Sequence, residues 1–354
     1  MACIRRLFLL LCMIAAPAIA TPTISVLADS LEHPWGLAFL PEGDLLVTER
    51  PGRLQRVNPT TGTKQRIQGT PVVAASGQGG LLDIALHPDF IDNGWVYLTW
   101  AGHCEAGTAT HLGRGRLVGD ALEDFETLFV ATPCVDSGRH FGSRIVFDRN
   151  GYLFMTTGDR GERDRAQDLT DHNGAVLRFK DNGSIPPDNP FVDDPLAADA
   201  IYSYGHRNPQ GATIHPDTGA LWIHEHGPRG GDEINLPIAG GNFGWPKVTH
   251  GREYWGPRIG VTTRPDMIDP LYHWTPSIAP SGMAFYNGDL LVGALVQTHL
   301  ARLELNGEAV TRETELLSEL NRRIRAVEQG PDNLIYLLTD HRDGELLRLS
   351  LEIQ

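Results

Sequence analysis

Six times along this chain an alternating apolar run meets a turn and is followed by a second apolar run. The copies read LAFLPEGDLLVTE from Leu37, IALHPDFIDNGWVYLTW from Ile84, RIVFDRNGYLFMTTGD from Arg144, ATIHPDTGALWIHEHG from Ala212, MAFYNGDLLVGAL from Met283 and VEQGPDNLIYLLTD from Val327. Their turn positions, Gly43, Gly94, Gly151, Gly219, Gly288 and Asp332, are 51, 57, 68, 69 and 44 residues apart. Each copy has the period-two strands and turn chemistry of a β-hairpin. One hairpin cannot bury both of its faces, whereas units of this size stacked around an axis cover one another. The expected fold is therefore all-β, a six-bladed β-propeller occupying residues 21–354. Segments 24–27 and 346–351 are strand-like, and pairing them in one blade closes the ring without an exposed edge. A short helical turn is expected within 316–325. The longest insertions between hairpins fall at 104–138, 160–200 and 250–280, where loops on a rigid scaffold carry binding residues. The Pro/Asp-rich stretch 185–199 reads instead as solvated decoration.

The amino terminus carries Arg5 and Arg6, an apolar run over 7–16, and Ala18-Ile19-Ala20 before Thr21. This is the pattern of a cleavable secretory signal over residues 1–20, which implies a periplasmic or secreted protein. The run is shorter than the roughly 20 apolar residues a spanning helix needs, so no membrane insertion is expected. A lipid anchor on Cys12 is the competing reading, but Leu11 stands where such a signal wants a small residue. Cleavage removes two of the four cysteines, and the remaining Cys104 and Cys134 suit a disulfide in an oxidising compartment. It also removes two positive charges and no acidic residue, taking the formal net charge from −14 to −16. That surface disfavours nucleic acid and anionic membranes as partners. An anionic ligand would need a local basic pocket. A monomer and a homodimer are both compatible with the chain.

Four segments are poorly explained as strand cores. His140-Phe141-Gly142-Ser143-Arg144 precedes the third hairpin, which places an imidazole near the axis, where its near-neutral pKa suits a general base. A hydrogen-bonded loop histidine is the plainer reading in a chain with 14 of them. Tyr204 to Gly211 concentrates side-chain donors, including Arg207 and Asn208. His226-Gly227-Pro228, followed by Asp232, Glu233 and the Gly-rich run through Phe243 and Trp245, exposes carbonyls beside carboxylates. Hard oxygens of that kind suit Ca²⁺, although an acidic turn has the same composition. Arg323 and Arg325, two apart on a strand, point to one face. They could grip a carboxylate-rich ligand, or form an ordinary surface patch.

Taken together the segments HPWGLAFLPEGDLLVTER, GQGGLLDIALHPDF, HFGSRIVFDRNGYLF, TTGDRG, YGHRNPQG, EHGPRGGDEIN, GGNFGWP and RIRAV, in this order from His33 onward, resemble the soluble quinoprotein glucose dehydrogenase family, closest to its aldose sugar dehydrogenase branch. The resemblance implies pyrroloquinoline quinone and Ca²⁺ as cofactors, and oxidation of the C1 hydroxyl of an aldose to a lactone. It makes His140 the base, with Gln78 and Arg207 beside substrate and quinone, and Asn208 as a further cofactor contact. It assigns the cofactor's carboxylates to Arg323 and Arg325, the catalytic Ca²⁺ to the carbonyls of Gly227 and Pro228, and a structural Ca²⁺ to Glu233 and the Phe243 carbonyl. The implied partners are a small-molecule aldose and an electron acceptor of unspecified kind. The sequence departs from the family pattern at Arg139, where the glucose dehydrogenase branch has an acid, and at Val296, where a lysine is expected. The expected glutamine aligns with Asp164, or with Gln167 if the loop is longer. A Ca²⁺-dependent lactonase and a non-catalytic binding propeller are the alternatives. The first would need an axial metal held by side-chain carboxylates and amides.

Overall fold

The computed structural model describes residues 22–351 and forms six four-stranded antiparallel sheets. The expected signal at 1–20 lies outside the described residues. Blade one runs Pro34–Phe39, Leu45–Glu49, Arg53–Val57, Lys64–Ile67, and blade two runs Leu81–Leu86, Trp95–Cys104, Gly107–Val118, Ala121–Val130. Blades three, four and five begin at Ile145–Phe147, Pro209–Ile214 and Pro280–Tyr286, and blade six at Ile324–Gln329. All six hairpins of the repeat become the two inner strands of a blade.

Blade six takes its outer strand from the other end of the chain. Thr23–Leu31 pairs with Gly344–Ser350, Ile24 opposite Leu349 and Val26 opposite Leu347, so the ring closes by hydrogen bonds as the terminal segments predicted. The expected helical turn is a single 3₁₀ turn, Ser318–Leu320. The interval 104–138 differs from expectation. Most of it forms the two outer strands of blade two rather than a loop between blades, because Cys104 and Gly107 already pair across the turn. Cys104 and Cys134 form the disulfide, joining that turn to the connection into blade three.

Side-chain alternation explains why these strands are apolar on both faces. In Leu45–Glu49 the odd residues Leu45 and Val47 pack toward blade six, and Leu46 packs toward blade two. In Asp289–Ala294, Leu290 and Val292 face blade four while Leu291 faces blade six. Phe154 faces blade four, and its neighbours Leu153 and Met155 face blade two. A middle strand therefore belongs to two interblade cores at once, which is why a period-two pattern reads here as a near-continuous apolar run. At the closing junction Leu338 is fully buried among Leu37, Leu45 and Leu346. Leu338→Ala should cost about 2–5 kcal/mol of unfolding free energy, read as a lowered midpoint in urea with an unchanged slope.

Candidate functional site

The loops that join one blade to the next converge on one face of the ring around two connected cavities. The inner one, about 290 Å³, is walled by Trp35, Arg50, Asn208, Arg323, Arg325 and Asp340, among others. The outer one, about 850 Å³, opens to solvent past His140, Arg207, Gly227, Pro228 and Tyr254. Gln78, His226, Ala279 and Val296 line both.

His140 enters this cleft from the connection between blades two and three, in the left-handed region at φ 54°. A non-glycine residue held there costs about 1–3 kcal/mol, so its surroundings must over-determine it. They do: its N–H donates to Gln78 Oε1 at 2.7 Å, and its ring Nδ1 lies 2.6 Å from Asp159 Oδ1. Gly158 lets the two segments approach, since a Cβ there would lie 2.3 Å from the His140 carbonyl oxygen. Asp159 lies in the TTGDRG segment, where nothing local marks its role. Its position beside the base comes from pairing the third blade's second strand against the loop that carries His140.

Asp159 is buried and fully engaged. Gly161 N–H reaches Oδ1 at 2.7 Å and Trp245 Nε1–H reaches Oδ2 at 2.8 Å. Burial acts to raise its pKa, but the hydrogen bond from His140, the Arg207 charge and the Gly161 N–H prevail and hold it below the ordinary carboxylate value. An ionised carboxylate only accepts, so His140 carries its proton on Nδ1 and presents Nε2 as a lone pair. Burial, the largest influence, lowers the His140 pKa; Asp159 opposes it and the Arg207 charge adds to it. The site therefore holds a neutral, oriented imidazole.

Arg207 is buried behind this pair. Its backbone N–H is bound by Glu225, and Nη1 donates to the carbonyls of His226 at 3.0 Å and Gly227 at 2.9 Å. Its guanidinium lies over Trp245, the same ring that holds Asp159. Asn208, next in sequence, accepts the Gly142 N–H at 3.2 Å and so supports the other side of the His140 loop. The predicted cluster of Gln78, His140, Arg207 and Asn208 thus converges from three separate connections. His226 joins it: Nε2 lies 2.7 Å from the Pro280 carbonyl.

The inner cavity is basic. Arg323 and Arg325 share Asp340 Oδ2, at 2.8 and 3.0 Å, and Arg325 also meets Gln210 Oε1 at 3.1 Å. Arg325 Nε is buried with no partner. The wall carries three arginines against one carboxylate, which fits a ligand bearing several carboxylates. The two arginines of the RIRAV motif therefore both line the cavity, Arg325 buried and Arg323 exposed at its edge. Arg50 has no local signature in the sequence, being an arginine at a strand end. The three departures from the family pattern have different fates. Val296 lies on the cavity wall, whereas Gln167 is bound to Asn242 and the Trp245 carbonyl, and Arg139 is exposed.

The fit to Ca²⁺ differs between the two expected sites. Gly227 and Pro228 are two neutral carbonyls at the outer cavity, and that of Gly227 already accepts Arg207. Ca²⁺ takes six to eight oxygens, so most must come from ligand and water there. Glu233 is buried opposite Glu225 in the strand register, and its pKa is raised well above the ordinary value by burial and then by Glu225. Glu225 binds His206, which stacks on Phe243 at 4.8 Å, so Glu233 and Phe243 share one neighbourhood where a divalent cation would relieve two carboxylates. Among the described residues no three or more His, Cys, Asp or Glu side chains are grouped to hold a metal.

The family model described as Glucose / Sorbosone dehydrogenase matches residues 31–348. Aldose sugar dehydrogenase YliI of Escherichia coli K12 is 44% identical over 352 residues, covering 95% of this chain and 94% of that one. Quinoprotein glucose dehydrogenase B of Acinetobacter calcoaceticus is 33% identical over 253 residues, covering 63% of this chain and 52% of that one. Among solved structures, the apo form of the soluble aldose sugar dehydrogenase from Escherichia coli superposes with a TM-score of 0.91 at 42% identity, over 94% of this chain and all of that one. The PQQ-bound aldose sugar dehydrogenase from Streptomyces coelicolor gives 0.79 at 31%, over 95% of this chain and all of that one.

The imidazole resonances provide a check on the site. His140 should titrate below about 6.5, the ordinary histidine value, in two-dimensional NMR of the folded protein. Asp159→Asn should move it lower still, because the substitution removes the interaction that opposes burial. An upward shift would contradict the pairing.

Proposed function

Because this chain belongs to the glucose/sorbosone dehydrogenase family and is a quinoprotein sugar dehydrogenase, we propose that it oxidises the C1 hydroxyl of an aldose to the lactone, with His140 as the general base. When bound, pyrroloquinoline quinone supplies the two-electron sink and Ca²⁺ the Lewis acid. The observation that carries the reading is His140 hydrogen-bonded to the buried Asp159 beside Arg207, at the mouth of an arginine-walled cavity.

The protein's own contribution follows from the contacts. His140 Nε2 accepts the proton of the anomeric hydroxyl. Asp159, ionised and fixed by Trp245 and Gly161, keeps the ring in the tautomer that can do so and stabilises the imidazolium that results. The Arg207 charge works in the opposite sense, keeping the resting ring deprotonated. Gln78 spends its carbonyl on the His140 N–H, which leaves its amide NH₂ to orient the sugar. Asn208 holds the loop from below. Arg323 and Arg325 would hold the cofactor's carboxylates, and the Gly227 and Pro228 carbonyls would share in holding Ca²⁺. Glu233 and Phe243 would hold a second, structural ion. The Cys104–Cys134 disulfide and the signal-like residues 1–20 support export to an oxidising compartment.

The test mixes apo-protein with Ca²⁺, pyrroloquinoline quinone, an aldose and an electron-accepting dye. Dye reduction should require the quinone, and His140→Ala should lower kcat by about 10²–10⁴-fold. Turnover in His140→Ala equal to wild type would remove the base assignment, and lactone hydrolysis without quinone would replace the reading altogether. The wild-type rate should fall as pH drops through the His140 pKa, since only the neutral ring accepts a proton. That acid limb should lie below about pH 6.5, and a limb well above it would contradict the lowered pKa.

A further inference from the structure

Arg50 follows the second strand of blade one, Leu45–Glu49, and its side chain forms part of the inner cavity wall with Arg323 and Arg325. Two of its nitrogens are committed to backbone. Nε donates to the Gly79 carbonyl at 3.1 Å and Nη2 to that of Gly77. These carbonyls flank Gln78 on a loop with little freedom: Gly77 has φ 58°, and a Cβ there would lie 2.3 Å from the Gly138 carbonyl oxygen. Two bonds from one planar fork fix the plane of the guanidinium. Its third nitrogen, Nη1, has no protein partner among the described residues.

Nor does Arg50 have a counter-ion in contact among the described residues. Asp340, the carboxylate on this wall, is bonded through Oδ2 to both Arg323 and Arg325, and acts on Arg50 only through space. Burial lowers the Arg50 pKa, with Asp340 opposing. A partly buried guanidinium facing a cavity without an anion is costly unless a ligand neutralises it. Val296 on the same wall is apolar and supplies no charge.

We propose that Arg50 is a direct cationic contact to a carboxylate of the quinone cofactor, held in place by the same two carbonyls that fix the Gln78 loop. This rests on the cofactor reading above and adds a residue to it. The structure thereby supplies a third cation from blade one, on a wall where position 296 provides none.

The test is calorimetric titration of pyrroloquinoline quinone into apo-protein saturated with Ca²⁺, a readout independent of turnover. Arg50→Gln should weaken binding by about 10- to 100-fold, the usual scale for a charged hydrogen bond. Arg50→Lys, which keeps the charge and loses the fork, should weaken it by about 3- to 10-fold. If Arg50 acted only by positioning Gln78, its effect would vanish in a Gln78→Ala background; direct contact predicts that the same factor persists there. A Kd for Arg50→Gln within about threefold of wild type, or loss of its effect in the double variant, overturns the proposal. Should Arg50→Gln lack native near-ultraviolet circular dichroism, Arg50→Lys decides: unchanged affinity overturns the proposal, and the stated weakening supports it. Failure of the wild type to bind the quinone would remove the cofactor reading and this proposal together. Wild-type binding with an indifferent Arg50 removes only the latter.

Discussion

One guanidinium at the axis holds the inner strands in register and forms the floor on which the site is built. Arg144 donates from Nε to the Gln210 carbonyl at 2.7 Å, from Nη1 to Asp83 at 3.1 Å and from Nη2 to the Arg325 carbonyl at 3.0 Å, with its Cζ 4.0 Å from the centre of the Trp35 ring. These partners come from blades four, two, six and one, and Arg144 itself leads into blade three. Asp83 returns the connection by accepting the Ile145 N–H at 2.9 Å. Breaking such a buried pair leaves an uncompensated charge, at a cost of about 3–5 kcal/mol. The cost would spread to the site, because Gln210 and Arg325 meet each other on the inner cavity wall.

Above this floor the polar groups are arranged so that each has a defined state. Asp159 is ionised, His140 neutral, and the arginines of the inner cavity charged in excess of their one carboxylate. A protein with a net charge of −14 thus concentrates positive charge where an anionic cofactor would sit. The His140–Asp159 pair draws on the connections into blades two and three and on blade four, and the arginine wall on blades one and six. Ring closure by Thr23–Leu31 is therefore a condition for the site as well as for the fold.

Much of this was legible in the chain. The hairpins announced themselves because alternation and turn chemistry are local, and the closing strands because two unpaired strand-like ends in a ring need each other. Gln78, His140, Arg207 and Asn208 stood out as motif residues, and they do meet. The outer strands of blade two were harder to read. Gly107–Val118 mixes Gly, Thr, His and Arg with few apolar residues, and Ala121–Val130 exposes Glu123, Asp124, Glu126 and Thr127, a composition that resembles a loop when only apolar runs are counted. Asp159 and Arg50 are hidden in the sequence for another reason. Each looks like an ordinary strand-end polar residue until the loop opposite is known.

The sequence by itself determined an all-β ring of six blades and its closure, since each hairpin is specified by residues within about twenty positions and the period leaves few ways to cover the faces. Tertiary structure alone decided which of fourteen histidines is paired with a buried acid at the cleft and which arginines line a cavity. His140 meets an acid 19 residues away, that acid meets Trp245 across 86 residues, and Arg144 meets blade six across 181. Proton location and charge balance depend on burial and on partners brought together by separate blades, and no local pattern encodes those distances.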